Sequence, residues 1–175
     1  MLLNSDQEMV RDAVRAFSQE QLWPMAAQWD KSHEFPKQVH KGLAALGAYG
    51  ICVPEELGGA NLDYLTLAVV LEEIAAGDGG TSTVISVTNC PVNAILLKYG
   101  NKQQQEKWLT PLAQGEMLGG FCLTEPHVGS DASGLKTTAI KTADGYLLNG
   151  VKQFITSGKN GDVMIVIAVT DKAAG

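Results

Sequence analysis

Between residues 119 and 139 the sequence GGFCLTEPHVGSDASGLKTTA crowds Thr124, Glu125, His127, Ser130 and Asp131 into one turn. An apolar half-strand carrying Phe121 and Leu123 runs into that turn, so Thr124 offers its hydroxyl at a strand end. Gly129 allows a ligand close to the backbone. Several N–H groups and the Ser130 hydroxyl could then converge on a phosphate without any lysine. The competing reading is a polar loop in which Ser130 and Asp131 cap themselves.

Other groupings of reactive residues are weaker. His127, Ser130 and Asp131 have the composition of a hydrolase triad, but triad partners are oriented by separate segments, and no G-x-S-x-G elbow is present. Glu72 and Glu73 could be paired acid and base, yet adjacent helix positions point apart, which favours a solvated face. His33 and His40 are too isolated to bind a metal, so no metal site is expected. No G-x-G-x-x-G stretch supports a dinucleotide fold. Trp23, Trp29 and Trp108 suit core or interface positions.

The totals narrow the classes. The 175 residues are 45% apolar, enough for a packed core. Thirteen basic and nineteen acidic residues leave a net charge of -6 with no Lys/Arg cluster. Nucleic acid is therefore not an expected partner, and anions must be held by backbone and hydroxyl groups. Cys52, Cys90 and Cys122 are scattered and odd in number, which suits a reducing compartment where each is a small buried hydrophobe. No apolar run approaches the roughly 18 residues of a membrane span. The opening MLLNSDQEMV has no secretory pattern, so a cytoplasmic location is expected.

The elements that must position the turn come first in the chain. Ser5-x-x-Glu8 reads as a capping box, followed by Val10, Ala13, Val14 and Phe17 at helical spacing. Pro24 kinks or restarts that helix. Pro36 can occupy the first position of another, with Val39, Leu43 and Leu46 inward and Gly47 near its stop. VPEELGG is a loop. Asp63 caps a helix striped by Leu67, Val70, Leu71 and Ile74 and ended by Gly77; Ala68, Val69 and Ala75 suggest burial on more than one side. Residues 81–89, TSTVISVTN, are β-branched yet lie between helices, and context predicts a helix. Pro91 opens the next helix, and Asn101 caps one broken near Pro111.

After Gly119 the period turns to alternation. Asp144-Gly145 and Asn149-Gly150 are hairpin-type signals around YLL. VMIVIAV, residues 163–169, reads as a strand covered on both faces. An α+β chain results: an all-α domain over 1–118, then the start of a β domain over 119–175. So short a sheet, ending in TDKAAG without closing strands, reads as a fragment.

These segments also carry a resemblance. FCLTEPHVGSDASGLKTTA is similar to the first signature of the acyl-CoA dehydrogenase family, aromatic-x-apolar-Thr-Glu-Pro-x-x-Gly-Ser-Asp. NGVKQFITSG, residues 149–158, resembles its second element, Asn-Gly-x-Lys-x-aromatic-Ile-Thr-x-Gly, at the usual separation. ICVPEELGGANLDY and LKYGNKQQQEKWLTPLAQGE fit as well. The resemblance implies an all-α N-terminal domain, the first strands of a β-barrel-like middle domain, and a C-terminal helical bundle absent from this chain.

It also implies FAD as cofactor. Backbone groups of Phe121, Cys122 and Leu123, with the Thr124 hydroxyl, would meet the pyrimidine end of the flavin. Gly129 and Ser130 would meet the pyrophosphate, and Ser130 also the acyl-CoA. Phe154, Ile155 and Thr156 would lie against the isoalloxazine, the Thr156 hydroxyl near N5. Phe154 stands where some relatives carry Trp. The family's catalytic Glu belongs to the C-terminal domain, which would lie beyond Gly175, so no catalytic base is expected among these residues. Acyl-CoA, an electron-transfer flavoprotein and further copies of the chain (tetramer or dimer) are the implied partners, in the breakdown of fatty acids or branched-chain amino acids. An acyl-CoA oxidase and a non-catalytic binding module are the alternatives.

Overall fold

The computed structural model describes residues 2–173. Ala174 and Gly175, the last two residues of TDKAAG, lie outside the described residues, and so does the expectation that places the catalytic Glu beyond Gly175. Helix α1 spans Ser5–Phe17. Its capping box lies one residue earlier than the Ser5–Glu8 pattern: Asn4 accepts from the Gln7 N–H (2.8 Å), and Gln7 accepts from the Asn4 N–H (3.1 Å). Gln7 takes this place because it is also buried and its amide reaches Asp63 (3.2 Å), tying α1 to the start of another helix. The backbone then loosens into a π turn over Ser18–Leu22, bends at Pro24 and restarts as α2, Ala26–Ser32.

Pro36 is the N-cap of α3, Lys37–Ala45, one position ahead of the expected first turn. Val39 and Leu43 face inward, but Leu46 is 42% exposed, because α3 ends at Ala45 and Gly47, at φ +74°, turns the chain away. The 53–59 loop contains a single 3-10 turn, Glu55–Leu57. Asp63 caps α4, Tyr64–Gly77, by accepting from the Thr66 N–H (2.8 Å). Leu67, Val69, Val70, Glu73, Ile74 and Gly77 form one broad buried face, while Ala68 and Ala75 are exposed, so burial is one-sided.

Glu73 is not the solvated carboxylate that its position beside Glu72 suggests. It is 9% exposed and grips Arg15 of α1 in a bidentate pair, Nε to Oε2 at 2.9 Å and Nη2 to Oε1 at 2.5 Å. Its ion partner lies 58 residues away in sequence.

Residues 81–89 are helical as expected: α5 spans Gly79–Val87 and passes through a π turn, Thr88–Asn93, into α6, Ala94–Tyr99. Thr81, Val84, Ile85 and Thr88 are buried, so tertiary packing outweighs their strand propensity. Pro91 therefore sits inside a continuous helical rod rather than opening a new one. The π turn has already displaced the regular bonding ladder, which lowers the cost of the missing proline N–H. Pro111 is accommodated likewise. Lys102–Gln104 (α7), a π turn over Gln105–Leu109 and Thr110–Ala113 (α8) follow each other without the expected break. Two buried asparagines staple the rod to the preceding loop. Asn89 donates to the Ala48 carbonyl and accepts from the Ile51 N–H, and Asn93 donates to the Tyr49 carbonyl.

One core gathers Leu22, Leu43, Tyr49, Val70, Ile74 and Ile85. A second, around Val92, Leu96, Leu109 and Leu112, receives Phe121, Val163 and Ile165, and so seats the strands on the helices. Strand β1, Gly119–Cys122, pairs in parallel with β4, Val163–Val166. Strands β2, Thr138–Thr142, and β3, Gly145–Asn149, form the antiparallel hairpin expected at Asp144-Gly145. Asn149-Gly150 makes no second hairpin, since residues 151–156 leave the sheet. VMIVIAV is a strand only over 163–166, and its residues are half-buried rather than covered on both faces. It still joins the two sheets, because Ala139 N–H donates to the Val169 carbonyl and Val169 N–H to the Thr137 carbonyl.

Of the three thiols only Cys122 is buried; Cys52 is half-buried and Cys90 exposed. Cys90 turns outward with the side of the rod that neither core covers. Trp29 and Trp108 pack half-buried against the cores, whereas Trp23 is 70% exposed.

Candidate functional site

The open edge of β1 is built by strand alternation. The Cys122 carbonyl accepts from the Ile167 N–H (3.1 Å) and therefore faces β4. The N–H and C=O groups of Phe121 and Leu123 then point to the opposite edge, where β1 has no strand neighbour among the described residues. Thr124 is half-buried at the end of this edge. Beyond it, Glu125 and Val128 exchange backbone hydrogen bonds (2.9 and 3.1 Å) and close a tight turn. Gly129 and Ser130 follow, exposed, and no atom lies within 4 Å of where a Gly129 Cβ would stand.

Self-capping accounts for part of this turn only. Asp131 accepts from the Ser133 N–H (3.1 Å) and the Ser133 hydroxyl (2.5 Å), opening the 3-10 turn Ala132–Gly134. Those bonds hold the Asp131 carboxyl below the usual carboxylate range. Ser130 takes no part in them. The hydrolase grouping dissolves as well, since Asp131 serves Ser133 and His127 Nε2 lies 3.6 Å from Glu125.

The second motif comes alongside through the Gln153 N–H, which donates to the Thr124 carbonyl (3.0 Å). The Thr156 carbonyl lies against Gly120, where an added Cβ would meet it at 3.2 Å. Phe121–Thr124 and Phe154–Thr156 thus converge. Phe154 is 88% exposed at φ +55°, and Ser157 follows at φ +62°. A bulky residue held left-handed carries a conformational cost, and here the reward is to hold an aromatic face outward. Ile155 and Thr156 are half-buried beside it. The buried Cys122 side chain faces the interior, where burial pushes its thiol pKa up, and its backbone faces β4. Against the expectation, Cys122 therefore offers nothing to the open edge, which Phe121 and Leu123 supply.

Sequence reasoning missed Glu125 and Lys152. Glu125 is 2% exposed and accepts from the Lys136 N–H (2.8 Å), the Thr137 N–H (2.9 Å) and Lys152 Nζ (2.9 Å). The Thr137 side chain beside it, the Lys136 N–H and Lys152 hold its carboxyl far below the usual range, against the opposing effect of burial. Lys152 Nζ also donates to the Leu123 carbonyl (2.8 Å). The available signal was that each residue stands inside one of the two motifs. A carboxylate turned into an apolar layer needs a cation, and the other motif supplies it.

This donor set suits a flat heterocycle with a phosphate arm: a backbone edge, two hydroxyls, an outward aromatic face and an open glycine–serine limb. It does not suit a metal, and no cluster of three metal-ligating side chains occurs among the described residues. No helix among them is long and apolar enough to cross a membrane.

Comparison with known proteins follows the same division. Residues 4–116 match the family "Acyl-CoA dehydrogenase, N-terminal domain", and residues 120–175 match "Acyl-CoA dehydrogenase, middle domain". The human mitochondrial short-chain specific acyl-CoA dehydrogenase is 42% identical over 166 residues, 95% of this chain and 40% of that protein. The butyryl-CoA dehydrogenase structure from Megasphaera elsdenii superposes with a TM-score of 0.94 at 36% identity, over 100% of this chain and 47% of that one. A Mycobacterium smegmatis glutaryl-CoA dehydrogenase in complex with FADH2 gives 0.91 at 32% identity, over 97% and 44%. The chain therefore spans less than half the length of these relatives.

Proposed function

The chain belongs to the acyl-CoA dehydrogenase family, and from that membership we propose that it is the N-terminal part of an FAD-dependent enzyme that dehydrogenates an acyl-CoA thioester between Cα and Cβ. The observation that carries this reading is the convergence of Phe121–Thr124 with Phe154–Thr156 through the Gln153–Thr124 backbone bond. When bound, FAD supplies the two-electron acceptor that no amino-acid side chain provides. In this reading residues 1–118 form the helical domain and residues 119–175 the start of the β domain.

The residues divide the task. Phe121 and Leu123 present backbone groups, and Thr124 its hydroxyl, to the pyrimidine end, where donors favour the negative charge gained on reduction. Gly129 and Ser130 hold the pyrophosphate, and Ser130 also borders the acyl-CoA. Phe154 and Ile155 cover the ring and keep water away, and Thr156 directs its hydroxyl at N5. The base that removes the α-proton is assigned in this reading to the family's C-terminal domain, to which none of the matched residues belongs. The same reading extends to an electron-transfer flavoprotein as electron acceptor, to a homo-oligomer and to the cytoplasm.

Thr156→Val in the full-length enzyme keeps the side-chain shape and removes the hydroxyl. A neutral hydrogen bond contributes roughly 0.5–1.5 kcal/mol, so flavin reduction by acyl-CoA is expected to slow by up to about tenfold. Acyl-CoA affinity should hold. Rapid-mixing reduction traces identical to wild type would remove Thr156 from this role.

The 175-residue chain by itself is expected to be colourless after gel filtration with FAD and inactive in an acyl-CoA dye-reduction assay. Its open β1 edge leaves donors in competition with water at little net gain. A stoichiometric flavin band with turnover would contradict this.

A further inference from the structure

We propose that the buried Glu125–Lys152 pair is a two-point clamp that sets the geometry of the cofactor cradle, with Lys152 a positioning residue for the flavin. The inference rests on the FAD reading above. Consecutive carbonyls of the first segment are gripped from the second: Lys152 Nζ takes Leu123 and the Gln153 N–H takes Thr124, with the Gln153 side-chain amide at the Glu125 carbonyl (3.5 Å). One bond would act as a hinge. Two on adjacent peptide units set both the separation of the segments and their relative twist.

Lys152 can do this only while Glu125 holds it. Its side chain is 11% exposed, and a buried ammonium without a counter-charge would turn to solvent and release the Leu123 carbonyl. Glu125 is itself anchored on the other side by the Lys136 and Thr137 N–H groups. Both ends of the pair therefore terminate on backbone rather than on mobile side chains. The chain of contacts runs from β2's approach, through Glu125 and Lys152, to the edge that carries the Leu123 N–H. Phe154 stands two positions beyond Lys152, so release of the clamp moves the donor edge and the aromatic face independently.

Lys152→Met retains the stem and removes the ammonium. In the full-length protein it is expected to raise the FAD Kd of the apoprotein on the order of tenfold or more, the scale of a lost charged hydrogen bond. The bound flavin's visible absorption band should shift, since its donors are misaligned, and a purely structural role would not produce that change. Glu125→Gln, which keeps one carbonyl acceptor, should give the same spectral shift with a smaller loss of affinity. A folded Lys152→Met protein with wild-type Kd and wild-type flavin spectrum would overturn the proposal. Should that variant fail to fold, Lys152→Gln decides: its neutral amide is one bond shorter and cannot reach both acceptors, so a shifted spectrum supports the clamp and an unchanged one overturns it. A wild-type protein that binds no FAD would instead overturn the FAD reading, and the clamp's role with it.

Discussion

Gly150→Ala is expected to destabilise the protein by about 2–5 kcal/mol, combining overpacking with backbone strain. Gly150 has φ +157°, a conformation that side chains disfavour, and a Cβ there would collide with the Thr137 hydroxyl and lie 2.7 Å from Thr137 Cα. Thr137 cannot retreat. Its N–H is bound to Glu125 (2.9 Å) and its carbonyl accepts from the Val169 N–H (2.8 Å). The collision is therefore passed to the Glu125 turn and to the contact between the two sheets. Urea denaturation of the full-length protein should show a lower midpoint with little change in slope. Gly129→Ala is the control: with nothing within 4 Å of its Cβ, it should stay within about 0.5 kcal/mol of wild type in folding. A Gly150→Ala protein as stable as wild type would mean that the Thr137 contact is readily relieved.

Acidification should unfold the helical part earlier than an ordinary histidine would allow. His40 is 6% exposed, stacks on Phe35 with ring centroids 4.4 Å apart, and places Nδ1 2.6 Å from the Tyr49 hydroxyl. Burial pushes its imidazole from 6.5 down to about 4, only partly opposed by Asp78. Because the folded pKa is depressed, the unfolded chain binds the proton first. The neutral ring's contribution is complete above pH 6.5 and is lost as pH falls from 6.5 through 4. At roughly 1.36 kcal/mol per pKa unit, about 2.5 kcal/mol should be gone by pH 4.5. Glu125, held low by its partners, adds its own loss below its ordinary 4.5, so the two windows barely overlap. Stability of full-length wild type and His40→Gln, followed by denaturant titration from pH 7 to 4.5, should give a steep slope in the first and a shallow one in the second. Parallel slopes would assign the acid sensitivity elsewhere.

Much of the architecture was legible in local chemistry. Asp63 and Asn101 cap their helices where expected, and the first cap slipped by one residue only because Gln7 had a second task at Asp63. The turn at Asp144-Gly145 closes a hairpin because backbone preference decides it within a few residues. Pro24 bends and restarts its helix as expected, but two other prolines do not interrupt theirs. Pro91 lies inside a π turn and Pro111 in the first turn of the helix that follows another, and no local pattern announces a π turn.

The candidate site divides along the same line. The sequence alone carried two motifs whose resemblance to the acyl-CoA dehydrogenase family implies which residues would face a flavin, while their composition left a self-capped polar loop equally open. The scarcity of clustered Lys and Arg also directs any anion to backbone groups rather than to a basic surface, an expectation that composition alone supplies. Only the tertiary structure decided what holds those groups in register. Glu125 meets Lys152 across 27 residues, and Arg15 meets Glu73 across 58. In the sequence none of the four carries a sign of its partner. Whether a charge is solvated or buried depends on its partner's arrival, and that is set by the packing of β4 on β1 and of α4 on α1. Local propensities act over a turn or a strand. The desolvation that makes a carboxylate require its cation acts only once the chain has closed around it.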